Sequence, residues 1–165
     1  MRLAFVILGA IALSAFLGAR ALRAKEEPVS TDKIPKAVMD SLLAKFPKAK
    51  IDKCVREMEG DDVVYDIEFK QEGRKCEADI KENGTYINYE KAIEAKDLPK
   101  AVKDAIEKKY PKSTLKEIME ETEVKGKDEK LSAYEVVLAT ADKKEVEVRV
   151  SPEGKILEDT GEKRP

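Results

Sequence analysis

IPKAVMDSLLAKFPK, at residues 34–48, is answered by LPKAVKDAIEKKYPK at residues 98–112. Shifted by 64 positions, the two are identical at Pro35/Pro99, Lys36/Lys100, Ala37/Ala101, Val38/Val102, Asp40/Asp104, Lys45/Lys109, Pro47/Pro111 and Lys48/Lys112, and conservative at Ile34/Leu98, Leu42/Ile106 and Phe46/Tyr110. Self-similarity of this kind marks a duplicated module and takes precedence over any element-by-element reading. Downstream, Tyr65 to Phe69 aligns with Tyr134 to Leu138, Cys76 to Ile80 with Val146 to Val150, and Gly84 with Gly154. The length differences fall in polar stretches rich in Lys, Glu, Asp and Gly, where turns absorb insertions.

Each copy opens with a helix. Ile34, Val38 and Leu42, and Leu98, Val102, Ile106 and Tyr110, recur every four residues and make one apolar face, while Lys36, Asp40, Lys45, Lys100, Asp104 and Lys108 point elsewhere. Proline suits the first turn, Asp97 or Thr31/Asp32 serves as cap, and Pro47 and Pro111 end the helices. The period then changes to two. Tyr65, Ile67 and Phe69 alternate with Asp66, Glu68 and Lys70, and Cys76, Ala78 and Ile80 with Glu77, Asp79 and Lys81. Val146, Val148 and Val150 alternate likewise with Glu147, Arg149 and Ser151. Such alternation predicts antiparallel strands with one buried and one charged face. Less regular first strands are expected at Ile51 to Met58 and Leu115 to Glu123, and fourth strands at Thr85 to Lys91 and Lys155 to Glu158. The fold class read from this pattern is α+β: a tandem repeat of helix followed by a three- or four-stranded antiparallel meander, helices packed on one face of the sheet or sheets. A module of about 60 residues has a marginal core alone. The two copies therefore pack together, or extend one sheet across the junction near Ala92 to Lys96.

These elements resemble a known family. Phe46-Pro47-Lys48-Ala49-Lys50-Ile51, Tyr65-Asp66-Ile67, Cys76 to Ile80 and Asn83-Gly84, with Tyr110-Pro111-Lys112-Ser113-Thr114-Leu115, Tyr134-Glu135-Val136, Val146 to Val150 and Glu153-Gly154, are similar to PepSY-like domains grouped with β-lactamase-inhibitor-like proteins. The resemblance spans Ile34 to about Glu158. It implies an exported bacterial protein with tandem helix-on-sheet modules, without catalysis, whose relatives bind or restrain other proteins such as peptidases. An inhibitory role inherited at the level of fold names no target.

The N-terminal segment sets the compartment. Arg2 precedes the apolar run Leu3 to Gly18, and small residues follow, with cleavage patterns ending at Ala21 and Ala24. A secretory signal peptide over residues 1–24 is the reading, with periplasmic or secreted localisation. An uncleaved anchor is the alternative, although spanning needs about 20 apolar residues. The modules then occupy residues 25–92 and 93–165. Removal of residues 1–24 takes away Arg2, Arg20 and Arg23 and no acid, which moves the net charge from −2 to −5.

Of the 165 residues, 42% are hydrophobic, enough for a packed core, and 40% are charged with the two signs nearly balanced. That balance offers no basic surface for nucleic acid. The absence of histidine removes the commonest general base and metal ligand. No nucleophile elbow, phosphate loop, dinucleotide fingerprint or zinc spacing is present, and no cofactor is expected.

Cys54 and Cys76 are the only cysteines, and export invites a disulfide between them. They align, however, with the apolar Ile118 and Val146. In a simple meander they lie two strands apart, about 9–10 Å, beyond the roughly 7 Å reach of a bridge. Buried thiols are the favoured reading, and a bulge or another strand order would restore the disulfide.

Glu57, Glu59, Asp61, Asp62, Glu120, Glu121 and Glu123 read as charged, solvated hairpins. Tyr65 and Tyr134 share a packing position. Tyr86 and Tyr89, in the fourth strand, serve core packing or anchor a partner. The candidate partner-facing surface is the outer sheet face: Asp66, Glu68, Lys70, Glu77 and Asp79 in one copy and Glu135, Glu147 and Arg149 in the other, with Tyr86 and Tyr89. An ordinary solubilising face is the competing reading. The function expected is an exported, non-enzymatic module that binds or inhibits a protein or peptide of the cell envelope through that face or a sheet edge. The alternatives are an envelope structural protein without a discrete ligand and, last, a carboxylate-based hydrolase, which requires acids gathered in a pocket.

Overall fold

The structure, a computed structural model, describes residues 26–161, so the signal-peptide reading of residues 1–24 lies outside the described residues. The two proline-led segments form ten-residue helices, α1 (Lys36–Lys45) and α2 (Lys100–Lys109). Pro35 and Pro99 stand at the N-caps, where their carbonyls accept from the Met39 and Lys103 amides at 3.0 Å. Neither helix has a side-chain cap, which corrects the capping roles expected of Asp97 and Thr31/Asp32; Thr31–Lys33 forms a single 3-10 turn. Phe46 and Tyr110 close the helices by donating to the Leu42 and Ile106 carbonyls at 2.7 Å, and the following prolines force both residues out of helical geometry.

The strands are β1 (Glu27–Pro28), β2 (Ala49–Glu59), β3 (Asp62–Gln71), β4 (Arg74–Lys81), β5 (Tyr86–Ala92), β6 (Thr114–Lys125), β7 (Asp128–Ala139), β8 (Glu145–Val150) and β9 (Ile156–Asp159). Their order in space is their order in the chain, all antiparallel, in one nine-stranded sheet.

This corrects the expected fold class, an α+β tandem repeat of helix and meander with helices as a packed layer: the helices are two short segments that rest on parts of a single, far larger sheet. The fold is mostly β, one continuous sheet with two short helices. At the junction the structure takes the second of the two arrangements expected of the copies, one sheet extended across it. β5 pairs with β6 from Asn88↔Glu123 to Ala92↔Met119, and the Ile93 amide extends the ladder to the Ile118 carbonyl at 3.0 Å. Periodicity shows which face of a strand is buried, but not whose backbone lies along its edge. Strands of up to twelve residues then outweigh helices of ten.

One side of this sheet carries the apolar core in two clusters. Val38, Leu42 and Phe46 meet Ile67, Phe69, Cys76, Ala78, Ile80 and Tyr89. Val102 and Ile106 meet Ile118, Tyr134, Val136, Leu138 and Val146 to Val150 at alternate positions. Among the described residues no helix is long and apolar enough to cross a membrane.

Candidate functional site

The strand residues between those core positions face the other way, and both helices lie on the core side. The opposite face carries the polar half of the alternation, with Val55, Val64, Met119 and Ala133 buried among its acids. Glu68, Glu77, Glu90 and Glu121 lie opposite one another across β3, β4, β5 and β6. Asp66, Asp79, Asn88 and Glu123 form the next row. Met119, Glu135, Arg149 and Glu158 continue the face over β6 to β9.

Like charges directly opposite in a sheet repel, and the face manages them with a few cations. Arg149 Nε and Nη2 donate to the two Glu121 oxygens at 2.5 and 2.7 Å, and its Nη1 lies 3.6 Å from Glu158. Lys75 bridges Glu77 at 2.8 Å and Glu117 at 2.5 Å, Lys53 holds Glu68 at 2.9 Å, and Asn88 donates to Asp79 at 3.1 Å. The fork geometry of arginine makes the Glu121 pair the firmest of these contacts.

The central acids remain under-compensated. Glu90 is only 6% exposed, and its Oε2 is buried without a hydrogen-bond partner. Burial first, then the charges of Glu135, Glu77, Glu121 and Asp79, push its carboxyl well above the usual range. Burial and the neighbouring Glu147 and Glu77 raise Glu135 to about 8; burial with Glu77 and Glu68 raises Asp66 to about 7. Glu147 moves in the same direction, from burial and Glu158. Among the described residues no cluster of acids or cysteines converges closely enough to hold a metal ion.

Of the residues singled out in the sequence, Asp66, Glu68, Lys70, Glu77, Asp79, Glu135, Glu147 and Arg149 share this face, Lys70 at its margin beside Asp52 at 3.3 Å. Tyr86 and Tyr89 do not; both lie in the core-side cluster. The Tyr86 hydroxyl donates to the Ser41 carbonyl at 3.3 Å and the Tyr89 hydroxyl to Glu129 at 2.8 Å, while Lys45 stacks 4.4 Å from the Tyr89 ring centroid. Glu57 and Glu121, read as solvated hairpin charges, are 6% and 4% exposed. Glu90 was not singled out at all. Its signal was its place beside Tyr89: a strand that turns Tyr89 to the core turns Glu90 to the other face.

Cys54 and Cys76 are free, buried thiols on β2 and β4, with β3 between them. Burial and Asp66 push the Cys54 thiol up to about 12, and burial also raises Cys76. A native-state titration with an aromatic disulfide reagent at pH 8 is expected to label neither thiol within minutes and both on unfolding in urea. Rapid native labelling of Cys54 would contradict the buried assignment.

Two cavities lie away from the acid rows. One of about 600 Å³ is lined by Glu27, Pro28, Val29, Ser30, Lys33, Arg56 and Tyr65. The other, about 240 Å³, sits beside Ile93 and Ile118. Neither gathers paired carboxylates in the way a hydrolase needs.

Comparison with known proteins places this geometry in a family. The model described as "Putative beta-lactamase-inhibitor-like, PepSY-like" matches residues 20–88 and again residues 63–158. A search of curated proteins finds no match. Among solved structures, a BLIP-like protein from Bacteroides fragilis is 21% identical, with a TM-score of 0.54 over 76% of this chain and 85% of that one. A DUF2874 family protein from Bacteroides uniformis is 16% identical, with a TM-score of 0.58 over 76% and 87%. One from Bacteroides eggerthii, described as "putative periplasmic proteins", is 12% identical, with a TM-score of 0.59 over the same shares. At these identities the structures share the fold alone, whereas the two family matches together cover most of the sequence: the chain belongs to the PepSY-like, β-lactamase-inhibitor-like family.

Proposed function

We propose that this protein is a non-enzymatic binding protein of the periplasm that engages another protein through the helix-free, acidic face of its sheet. The observation that carries the reading is the asymmetry of the sheet: both helices cover one side, and the other side presents polar side chains from every strand between β3 and β8. The lining of this face is dominated by carboxylates, which suits a charged macromolecular segment better than a small molecule, whose sites are mostly apolar clefts. Family membership supports a binding or inhibitory role, and the description of a structural relative as periplasmic agrees with the signal-like N-terminal segment.

Site-specific photo-cross-linking in the exported fraction tests this. A photoreactive residue at Glu68 or Glu147, on the free face, is expected to trap the same discrete protein adduct. One at Asp104 or Glu107, on the exposed side of α2, is expected to trap none. Equal yields from both surfaces, or no adduct from either, would overturn the assignment of the face.

A further inference from the structure

We propose that the carboxylate cluster around Glu90 is a receptor for cationic side chains, and that the partner taken by this face is a protein segment with closely spaced lysine or arginine residues. The inference rests on the binding role of the face given above and specifies its chemistry.

Acidic residues gathered on a sheet are by themselves only a solvated surface; the burial of Glu90 makes this cluster different. Its Oε2 is shielded from water and meets no donor. Facing it are Glu77 and Asp79 from β4, Glu121 from β6, Glu135 from β7 and the Arg149 guanidinium from β8. A buried polar atom left in this state is unfavourable, and more so when charged. Protonation removes the charge but does not satisfy the group, because a neutral carboxyl still presents a second oxygen, and its hydroxyl needs an acceptor.

The cations already on the face do not fill the gap. Arg149 is committed to both oxygens of Glu121 and approaches Glu158, and Lys75 is committed to Glu77 and Glu117. A divalent ion does not fit either, since among the described residues no three acids converge on one point. An N–H donor bearing positive charge does fit: it neutralises the excess and supplies the missing hydrogen bond. Both helices lie on the other side of the sheet, and acids of β4 and β7 converge on Glu90 across a curved face, so side chains shield it, and these rotate more readily than backbone moves. Acids flank the position on neighbouring strands at spacings of about 5 Å. A second and third cation on the same segment are therefore accommodated by the Glu68 and Asp66 end of the rows and by Glu135 and Glu147.

The experiment uses the protein without its signal segment and a fluorescein-labelled peptide of four Arg-Ala repeats, with a Glu-Ala peptide as counterpart. By anisotropy at 50 mM salt, the arginine peptide is expected to bind and the glutamate peptide not to. The isosteric Glu90→Gln variant is expected to weaken binding about tenfold, roughly the value of one close charge pair. Glu94→Gln and Glu107→Gln, exposed charges outside the cluster, are expected to change it less than about twofold. Calorimetry in two buffers of different ionisation heat supplies a readout that a merely structural role does not move: at pH 7 binding to the unaltered protein releases protons, as raised carboxyls ionise against the incoming cation, and Glu90→Gln reduces that release. Where Glu90→Gln does not fold, Glu135→Gln carries the same expectation. No binding of the arginine peptide, or equal weakening by the outlying substitutions, overturns the proposal. A face that cross-links a partner but ignores arginine peptides refutes the cation receptor while leaving the binding role intact. Arginine binding that depends on Glu90, in a face that cross-links nothing, has the reverse meaning.

Discussion

Replacing Gly84 or Gly154 by alanine is expected to lower the free energy of unfolding by about 2–4 kcal/mol, read as a shift in the urea midpoint at unchanged slope. Both glycines sit in turns, between β4 and β5 and between β8 and β9, and both have φ of +86°, where a side chain is strained. Strain alone costs about 1 kcal/mol. The larger share comes from position. A Cβ on Gly154 stands 2.5 Å from the Ala101 carbonyl oxygen, and one on Gly84 stands 2.8 Å from the Ala37 carbonyl oxygen and 2.7 Å from Ser41 Oγ. Ser41 Oγ can rotate away, but the Ala37 and Ala101 carbonyls are helix backbone, so relief requires α1 or α2 to move off the cores that Leu42 and Ile106 fill. The Gly84 carbonyl also accepts from Ser41 Oγ at 2.7 Å, which the same movement breaks. Gly60, Gly73 and Gly126 supply the control: their φ values are positive as well, but a Cβ meets nothing within 4 Å. Alanine there is expected to cost about 1 kcal/mol. Equal losses at Gly126 and Gly154 would show that backbone strain, and not the helix contact, sets the cost.

That contrast also shows what a linear reading captures. Gly84 and Gly154 stood out because they align, and the alternation through Ile67, Phe69, Val148 and Val150 identified core positions that the structure buries completely. Local periods of four and two are properties of single segments, and single segments were legible. Helix bounds, by contrast, came out shorter than the quoted motifs, because the proline at the front of each holds the N-cap and the residue before the second proline leaves helical geometry. The seam between β5 and β6 joins residues about 30 positions apart through backbone hydrogen bonds, which carry no side-chain signature. Without the seam, Glu121 looks like one hairpin charge among several and Glu90 like an ordinary solvated strand residue. With it, both become inner-strand acids under their neighbours. The short strand β1 has no such signal: Glu27 and Pro28 show no alternation, and are held by pairing with Arg56 and Val55, by the Arg56 guanidinium donating to Glu27 at 3.0 Å and by the Val29 amide on the Cys54 carbonyl at 2.9 Å.

The same buried acids dictate how stability varies with pH. A carboxyl whose folded-state value is raised binds its proton more tightly in the native protein than in the unfolded chain. Between the ordinary carboxylate range and the raised value the native state therefore holds more protons, and stability falls as pH rises. Asp66, at about 7 through burial and then Glu77, Glu68 and Glu57 against the opposing pull of Lys53, sets the lower part of the window. Glu135, at about 8 through burial and then Glu147, Glu77, Glu121 and Glu117, sets the upper part, and Glu90 adds to it in the same direction. Asp159 acts oppositely: burial raises its value, but hydrogen bonds from Lys109 and Tyr110 and the Gly161 amide hold it low overall, so its contribution is lost only below the ordinary carboxylate range. Stability is thus expected to peak at about pH 4, within the ordinary carboxylate range, and to drop by about 2–4 kcal/mol by pH 8.5, less than the raised values alone imply because ionised groups relax toward water and toward Arg149 and Lys75. Urea titrations at pH 4, 5, 7 and 8.5 measure it. Glu135→Gln and Asp66→Asn each remove one titrating group without changing shape and are expected to flatten the curve, whereas Glu94→Gln, on an exposed loop, leaves it steep. A protein that gains stability between pH 5 and 8.5 would mean that the central row carries its charges without penalty, and that the face is paired in a way these contacts do not describe.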